Sequence, residues 1–506
     1  MTTVSSLHFQ NQMETEAFAK TLALWARPGL VIALEGDLGA GKSTMARALI
    51  RALAGEATEF DIPSPTFPII QTYDVTRIPV AHVDLYRLSS AEEIEGIGLS
   101  EVISTHFTMI EWPGLAENCL PLSTLHINLQ GSGESRQVQL ALGGAWIQIF
   151  TRNKSIEYFI ANSNWKGASR AFFEGDASSR RYEKLSKNGE HVLLMDMPQR
   201  PDGPPVKFGK PYSQIAHLAE GIQAVVSINT HLNQDFGYSA PVVFQADIPS
   251  GLAMMEELGN NVYGKLMLQG KDMTDPMLEA AALLADLAQR APLSRLENWG
   301  ATFIVPPYDE QAQLIEVGLL PQWFWQHLHG TEAPVDLEGS FEEIWKTLLP
   351  LARQATPQIV LRDFHSPNLL WLPERQGIKR VGLIDTQDAV MGHAAYDLVS
   401  MIQDARVDIP DDLASRTFAH YIALRRDKGF SETDFCTAYA ILGAQRATKI
   451  LGIFARLNKR DGKPAYLKHM PRVSRYLAQN LQHPELAPLK HWFEAHVPEA
   501  LTIGRA

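Results

Sequence analysis

Two stretches of this 506-residue chain carry residue types at spacings suited to chemistry on phosphate. In ALEGDLGAGKSTMARALI, Gly36 is followed by four residues and then by Gly41, Lys42 and Ser43. Glycines at 36, 39 and 41 let backbone N–H groups curl round phosphate oxygens, Lys42 supplies positive charge near the β- and γ-phosphates, and Ser43 is placed to coordinate Mg2+. The expected nucleotide cradle is Gly36, Asp37, Leu38, Gly39, Ala40, Gly41, Lys42, Ser43 and Thr44, with ATP and Mg2+ as its ligands. In the second stretch, LRDFHSPNLL, Asp363 and Asn368 stand in D-x-x-x-x-N spacing, and the apolar run RVGLID ends at Asp385. Phosphoryl transfer to a hydroxyl needs a base that takes or orients the hydroxyl proton, while an amide and a second carboxylate hold Mg2+ on the phosphates. Asp363, Asn368 and Asp385 are the residue types that this demands.

Each group needs an element to place it. LVIALEG reads as a buried strand ending at Gly36, and KSTMARALIRALAG as a helix stopped by Gly55, so strand, glycine loop and helix come in the required order. In DIPSPTFPIIQTYD, prolines 63, 65 and 68 forbid helix and leave an extended loop carrying Ser64 and Thr66. VAHVDLYRL holds a strand ending at Asp84, and FTMIEWPG one ending at Glu111. Parallel α/β sheets place their ligand crevice at such strand ends. Hydrolysis needs one acidic group for Mg2+ and another to orient the attacking water, and Asp84 and Glu111 are the candidates. A Gly/Ser turn at 131–133 suggests a closing hairpin, and a division near residue 150 gives domains 1–150 and 151–506. Past it, SIEYFIANS starts a helix, two strands flank the Gly175–Ser179 turn, and TAYAILGAQRATKILGIFARL shows the apolar spacing of a core helix.

Composition narrows the class. With 45% hydrophobic and 20% charged residues and no repeat, the chain has the make-up of an ordinary soluble protein of several domains. Its longest apolar runs reach about half the length needed to span a bilayer, and its first residues lack a basic start followed by an apolar stretch. No membrane association is expected. Two distant cysteines, Cys119 and Cys436, fit a reducing cytoplasm and exclude a disulfide framework. Residues 1–150 hold 8 Lys and Arg against 16 Asp and Glu. Such an acidic segment is a poor stand-alone nucleic-acid binder, so any service to RNA is expected to run through protein partners.

EGDLGAGKST, SPTF, HVDLYRL and IEWPG, in this order, closely resemble the TsaE family, the small ATPase subunit of the tRNA threonylcarbamoyladenosine machinery. The resemblance implies an α/β P-loop NTPase fold in which Lys42 and Ser43 hold nucleotide and Mg2+, Thr66 senses the γ-phosphate, Asp84 helps hold the metal and Glu111 supports hydrolysis. It also implies protein partners from that machinery, which modifies adenosine next to the anticodon, with tRNA reached indirectly.

Residues from about 155 to 490 resemble the aminoglycoside and choline phosphotransferase superfamily. Through EGDASSRRY, LMDMP, PPYDEQAQLIEVGLLPQWF, LRDFHSPNLL and IDTQDAVMGHAAYDLVS they are most similar to N-acetylmuramate/N-acetylglucosamine anomeric kinases of cell-wall recycling. What this implies is a two-lobed, protein-kinase-like α+β domain with a small amino sugar as acceptor. Asp363 is then the catalytic base, Asn368 and Asp385 are metal ligands, and the turn with Gly175, Ser178 and Ser179 covers the ATP phosphates. Two features depart from the pattern. Leu361 stands where a loop-bracing His is usual, with His365 as a substitute brace, and VLLMDMP lacks the phosphate-holding strand lysine, for which Arg180 or Arg181 are replacements. A pseudokinase scaffold for the tRNA-modifying complex, or a kinase for choline or an aminoglycoside, are the alternative readings of this part.

Overall fold

The computed structural model describes residues 3–55, 60–131, 133–174, 180–292, 294–426 and 428–503. Two compact units emerge, Met1–Glu174 with Glu183–Glu190, and Gly175–Tyr182 with His191–Ala506.

The first unit is built on seven strands: β1 (Thr3–Phe9), β2 (Val31–Glu35), β3 (Ile70–Tyr73), β4 (Val80–Asp84), β5 (Phe107–Glu111), β6 (Leu125–Gln130) and β7 (Arg136–Leu142). Their order is β1-β7-β6-β2-β5-β4-β3. The inner strands β6, β2, β5 and β4 run parallel, and β3, β7 and β1 are antiparallel to their neighbours. Strands covered on both faces read as continuous apolar runs, and β4 and β5 are buried along their whole length. Helix α1 (Gln12–Trp25) starts at Asn11, whose side chain accepts the Glu14 N–H at 3.1 Å. Helix α2 (Lys42–Ala54) follows the glycine loop and stops at Gly55, which adopts φ 86°. The expected strand, loop and helix order is present, and the proline-rich segment stays irregular up to β3.

One element is longer than its sequence reading. The helix expected from Ser155 begins at Ala145 and runs to Ala161, through residue 150. Trp146, Ile149, Ile156, Phe159 and Ile160 are its buried residues, so the apolar face continues back to the Gly143-Gly144 pair that ends β7.

In the second unit, Val243–Asp247 pairs antiparallel with Leu252–Met255, which pairs antiparallel with Glu190–Asp196 through Leu193–Asp196. The rest of the second unit is mostly helical and packs round the 28-residue helix Glu432–Lys459. Phe324, Phe341, Phe364 and Phe493 are among its fully buried side chains, each contributing about 1.5–3 kcal/mol on leaving water. Two short antiparallel pairs, Gln358–Val360 with Val390–Gly392 and Leu369–Trp371 with Val381–Leu383, bracket the loop 361–368. No helix among the described residues is long and apolar enough to cross a membrane.

Candidate active sites

Gly36 turns the chain from β2 into the phosphate loop at φ 130°, where a Cβ would lie 2.2 Å from the Leu129 carbonyl oxygen. Only glycine fits that approach. Gly39 and Gly41 also have positive φ, and the α2 N-terminus opens from Gly41. Lys42, 5% exposed, donates from Nζ to the carbonyls of Gly36 (2.7 Å) and Asp37 (2.9 Å) and lies 3.7 Å from the Trp112 ring centroid. Burial lowers its pKa, against the opposing pull of Glu111, Asp84 and Asp37.

Asp84 and Glu111 face each other in register at the ends of β4 and β5, and both are buried. Thr66 Oγ1 donates to Asp84 Oδ2 at 3.0 Å, Ser64 Oγ donates to the same oxygen at 3.3 Å, and Tyr86 N–H donates to Asp84 Oδ1 at 3.0 Å. Ser43 Oγ donates to Glu111 Oε2 at 2.9 Å, while Glu111 Oε1 meets His82 Nε2 at 2.8 Å. All the expected residues of the first site that the structure describes therefore gather round one loop. Two neighbours escaped the sequence reading. His82 sits behind Glu111, and Arg136 of β7 braces the loop through Nε to the Ala40 carbonyl (2.6 Å) and Nη2 to the Gly39 carbonyl (3.2 Å).

In the second unit, Asn368 Nδ2 donates to the Asp363 carbonyl at 3.0 Å and lies 3.5 Å from Asp385 Oδ2. Pairing of Leu369 with Leu383 sets this meeting, since it brings the residues before and after the two strands to one end. The loop is fixed from three sides. Phe364 is buried, Asp397 accepts the N–H groups of Leu361 (2.7 Å) and Arg362 (2.9 Å), and Asp404 accepts that of Ser366 (2.7 Å). Burial raises Asp397 to about 7 despite its two amide donors. Burial would also raise Asp363, but the charges of His365, Lys449, Arg362 and Arg446 outweigh it and lower the pKa.

His365 Nε2 stands 3.8 Å from Asp363 Oδ1. Arg180 is ion-paired with Asp385 and donates to Gln387 Oε1 at 2.8 Å, whereas Arg181 faces Asp196 at 3.6 Å. Gly175, Ser178 and Ser179 lie outside the described residues. A buried network behind the loop was not foreseen. Arg362 pairs with Glu316, which also accepts from Lys449 Nζ (2.9 Å), Gln445 Nε2 (2.9 Å) and Tyr308 OH (2.5 Å). Gln445 and Lys449 belong to the helix read as plain core. Polar residues inside its apolar run were the available signal.

The donor chemistry in both places suits Mg2+, a hard cation that takes oxygen ligands: a hydroxyl and a carboxylate at Ser43 and Asp84, an amide oxygen and a carboxylate at Asn368 and Asp385. Among the described residues, the one cluster of His and carboxylate side chains with donor atoms within 4.8 Å is Glu35, Glu117 and His126, and it includes none of these four.

A family model described as "Threonylcarbamoyl adenosine biosynthesis protein TsaE" matches residues 9–138, and one described as "Phosphotransferase enzyme family" matches residues 169–430. The N-acetylmuramate/N-acetylglucosamine kinase of Caulobacter vibrioides is 35% identical over 351 residues, covering 67% of this chain and 95% of the relative. Its Neisseria meningitidis counterpart is 30% identical, covering 63% and 87%. The tRNA threonylcarbamoyladenosine biosynthesis protein TsaE of Rickettsia bellii is 41% identical over 120 residues, covering 24% of this chain and 82% of the relative.

Proposed function

We propose, for a chain that belongs to the TsaE family over its first part and to the phosphotransferase enzyme family over its second, a bifunctional enzyme of the cytoplasm with two independent ATP sites. Residues 1–150 hydrolyse ATP in support of tRNA adenosine threonylcarbamoylation. Residues 151–506 transfer the γ-phosphoryl group of ATP to a hydroxyl of N-acetylmuramate or N-acetylglucosamine.

The observation that carries the kinase reading is the 3.5 Å approach of Asn368 to Asp385 beside Asp363. A scaffold has no need to keep two oxygen donors and a carboxylate base together. Asn368 and Asp385 would hold Mg2+, which when bound neutralises charge on the phosphates. Asp363, with its pKa lowered, is ionised at neutral pH and takes the proton of the acceptor hydroxyl as that oxygen attacks the γ-phosphorus. The bond from the γ-phosphorus to the β–γ bridging oxygen breaks, and ADP leaves with that electron pair. Arg180, next to Asp385, offers the positive charge that the strand lacks.

In the first site, the Gly36–Thr44 loop and Lys42 cradle the phosphates, Ser43 and Asp84 would hold Mg2+, and Thr66, hydrogen-bonded to Asp84, is placed to report the γ-phosphate. Glu111, backed by His82, orients the attacking water. The partners are protein subunits of the tRNA-modifying machinery, with tRNA reached through them, in keeping with the acidic balance of residues 1–150.

The test is to incubate the full chain with ATP and N-acetylmuramate, N-acetylglucosamine, choline or an aminoglycoside, and to look for a phosphorylated product. Phosphorylated amino sugar is the expected result. Phosphorylation of choline or an aminoglycoside alone overturns the acceptor, and no product from any of them overturns the kinase.

A further inference from the structure

Helix Glu432–Lys459 carries four polar side chains in an otherwise apolar stretch, Gln445, Arg446, Thr448 and Lys449. Gln445 and Lys449 are both committed to Glu316, and Lys449 also donates to Tyr396 OH at 3.3 Å. Arg446 differs. It is 5% exposed, yet among the described residues it has no hydrogen-bond or ion-pair partner. Its nitrogens keep contact with solvent, so five N–H donors on a side chain otherwise packed into the core are open to a ligand.

Its position suggests which. Arg446 lies three residues before Lys449, hence on the same helix face and about one turn away. Lys449 is fixed to Glu316, which is paired with Arg362, the residue preceding Asp363. Arg446 thus leaves the helix on the side that meets the Glu316–Arg362 pair. Nearby carboxylates do not use it. Asp397 gives one oxygen each to the N–H groups of Leu361 and Arg362, and Asp363 Oδ1 stands 3.8 Å from His365 Nε2. The charge of Arg446 acts on Asp363 after burial, His365, Lys449 and Arg362, and on Asp397 as well, in keeping with this placement.

We propose that Arg446 binds the carboxylate of the acceptor sugar and so sets the preference of the kinase for N-acetylmuramate over uncharged N-acetylglucosamine. The inference rests on the kinase reading above. A guanidinium fork matches a carboxylate through two parallel charge-assisted hydrogen bonds, and of the two sugars only N-acetylmuramate carries a carboxylate. The other anion within this chemistry is the γ-phosphate of ATP, which both acceptors share.

The experiment measures kcat/KM of the full chain for both sugars, and KM for ATP, in wild type, Arg446→Gln and Arg446→Lys. Calorimetric titration with each sugar runs alongside. In Arg446→Gln the ratio of N-acetylmuramate to N-acetylglucosamine kcat/KM is expected to fall about 10- to 100-fold, the worth of lost charge-assisted hydrogen bonds, mostly through KM. Arg446→Lys restores part of that loss. Residual turnover of N-acetylglucosamine shows that the variants fold. An equal loss for both sugars overturns the proposal, and if KM for ATP rises with it, Arg446 serves the γ-phosphate. An unchanged ratio also overturns it. Wild type that binds N-acetylmuramate but phosphorylates neither sugar contradicts the kinase reading, and the titration then decides on Arg446. Wild type that does not bind N-acetylmuramate overturns both.

Discussion

Asp397 reaches from helix Ala395–Ile402 to accept the backbone N–H of Leu361 at 2.7 Å. The proposed catalytic loop is therefore braced through its backbone at the position where its sequence departs from the usual pattern. Because the brace does not use the residue 361 side chain, Leu361→His is expected to leave the phosphotransfer rate within a few-fold. It lowers stability by about 1–3 kcal/mol instead, since a polar ring replaces a buried apolar side chain. A rate gain of tenfold or more, read from initial velocities, would mean that the loop as it stands is poorly held.

Glu316 gives the kinase part a dependence on acid. Burial alone would raise its pKa, but Lys449 and Arg362 hold it down at about 2. A carboxyl depressed on folding contributes stability that is present above its ordinary pKa of about 4.5 and is lost as pH falls towards 2. That contribution is on the order of 3 kcal/mol. Urea unfolding between pH 5 and pH 3 is expected to show wild type losing stability more steeply than Glu316→Gln. At pH 7 the variant is the weaker protein by about 3–5 kcal/mol, because two buried cations lose their carboxylate. Parallel pH dependences would show that Glu316 is not the ionised partner of Arg362 and Lys449.

On the proposed roles, Glu111 and Lys42 separate hydrolysis from binding in the first site. Glu111→Gln keeps the size of the side chain and an oxygen for the Ser43 hydroxyl, but it cannot polarise water as a carboxylate does. Phosphate release is expected to drop about 10²-fold with nucleotide affinity changed only a few-fold. Lys42→Ala abolishes nucleotide binding at this site. Fluorescent-nucleotide titration beside single-turnover hydrolysis distinguishes the two variants, and lost binding with unchanged turnover of bound ATP in Glu111→Gln would reverse their roles.

Groups that depend on local order were legible in the sequence. Glycine spacing before a helix marks the Gly36–Ser43 loop, and carboxylates closing apolar strands mark Asp84 and Glu111, which the parallel pairing of β4 and β5 then sets side by side. The same logic found Asn368 and Asp385, each adjoining a short strand. What stayed hidden is held by contacts across long stretches of chain. Arg136 reaches the phosphate loop from a hairpin strand 96 residues beyond Ala40, and Glu316 joins Arg362 and Lys449 from three separate elements. No spacing rule encodes such meetings. The apolar period of helix Glu432–Lys459 describes its packing correctly and masks the polar side chains it presents to Glu316.

Two sites working independently in one chain are tested most directly by one crossed measurement on the full-length protein. Phosphate release from ATP without sugar, and phosphosugar formation with N-acetylmuramate, are followed in wild type, Lys42→Ala and Asp363→Asn. Lys42→Ala is expected to lose phosphate release and keep sugar phosphorylation. Asp363→Asn is expected to lose at least roughly 10²-fold in sugar phosphorylation, the lower range for a positioned base, while phosphate release persists. Equal loss of both activities in either variant, or no phosphosugar from wild type, would contradict a chain with two separate ATP-using active sites.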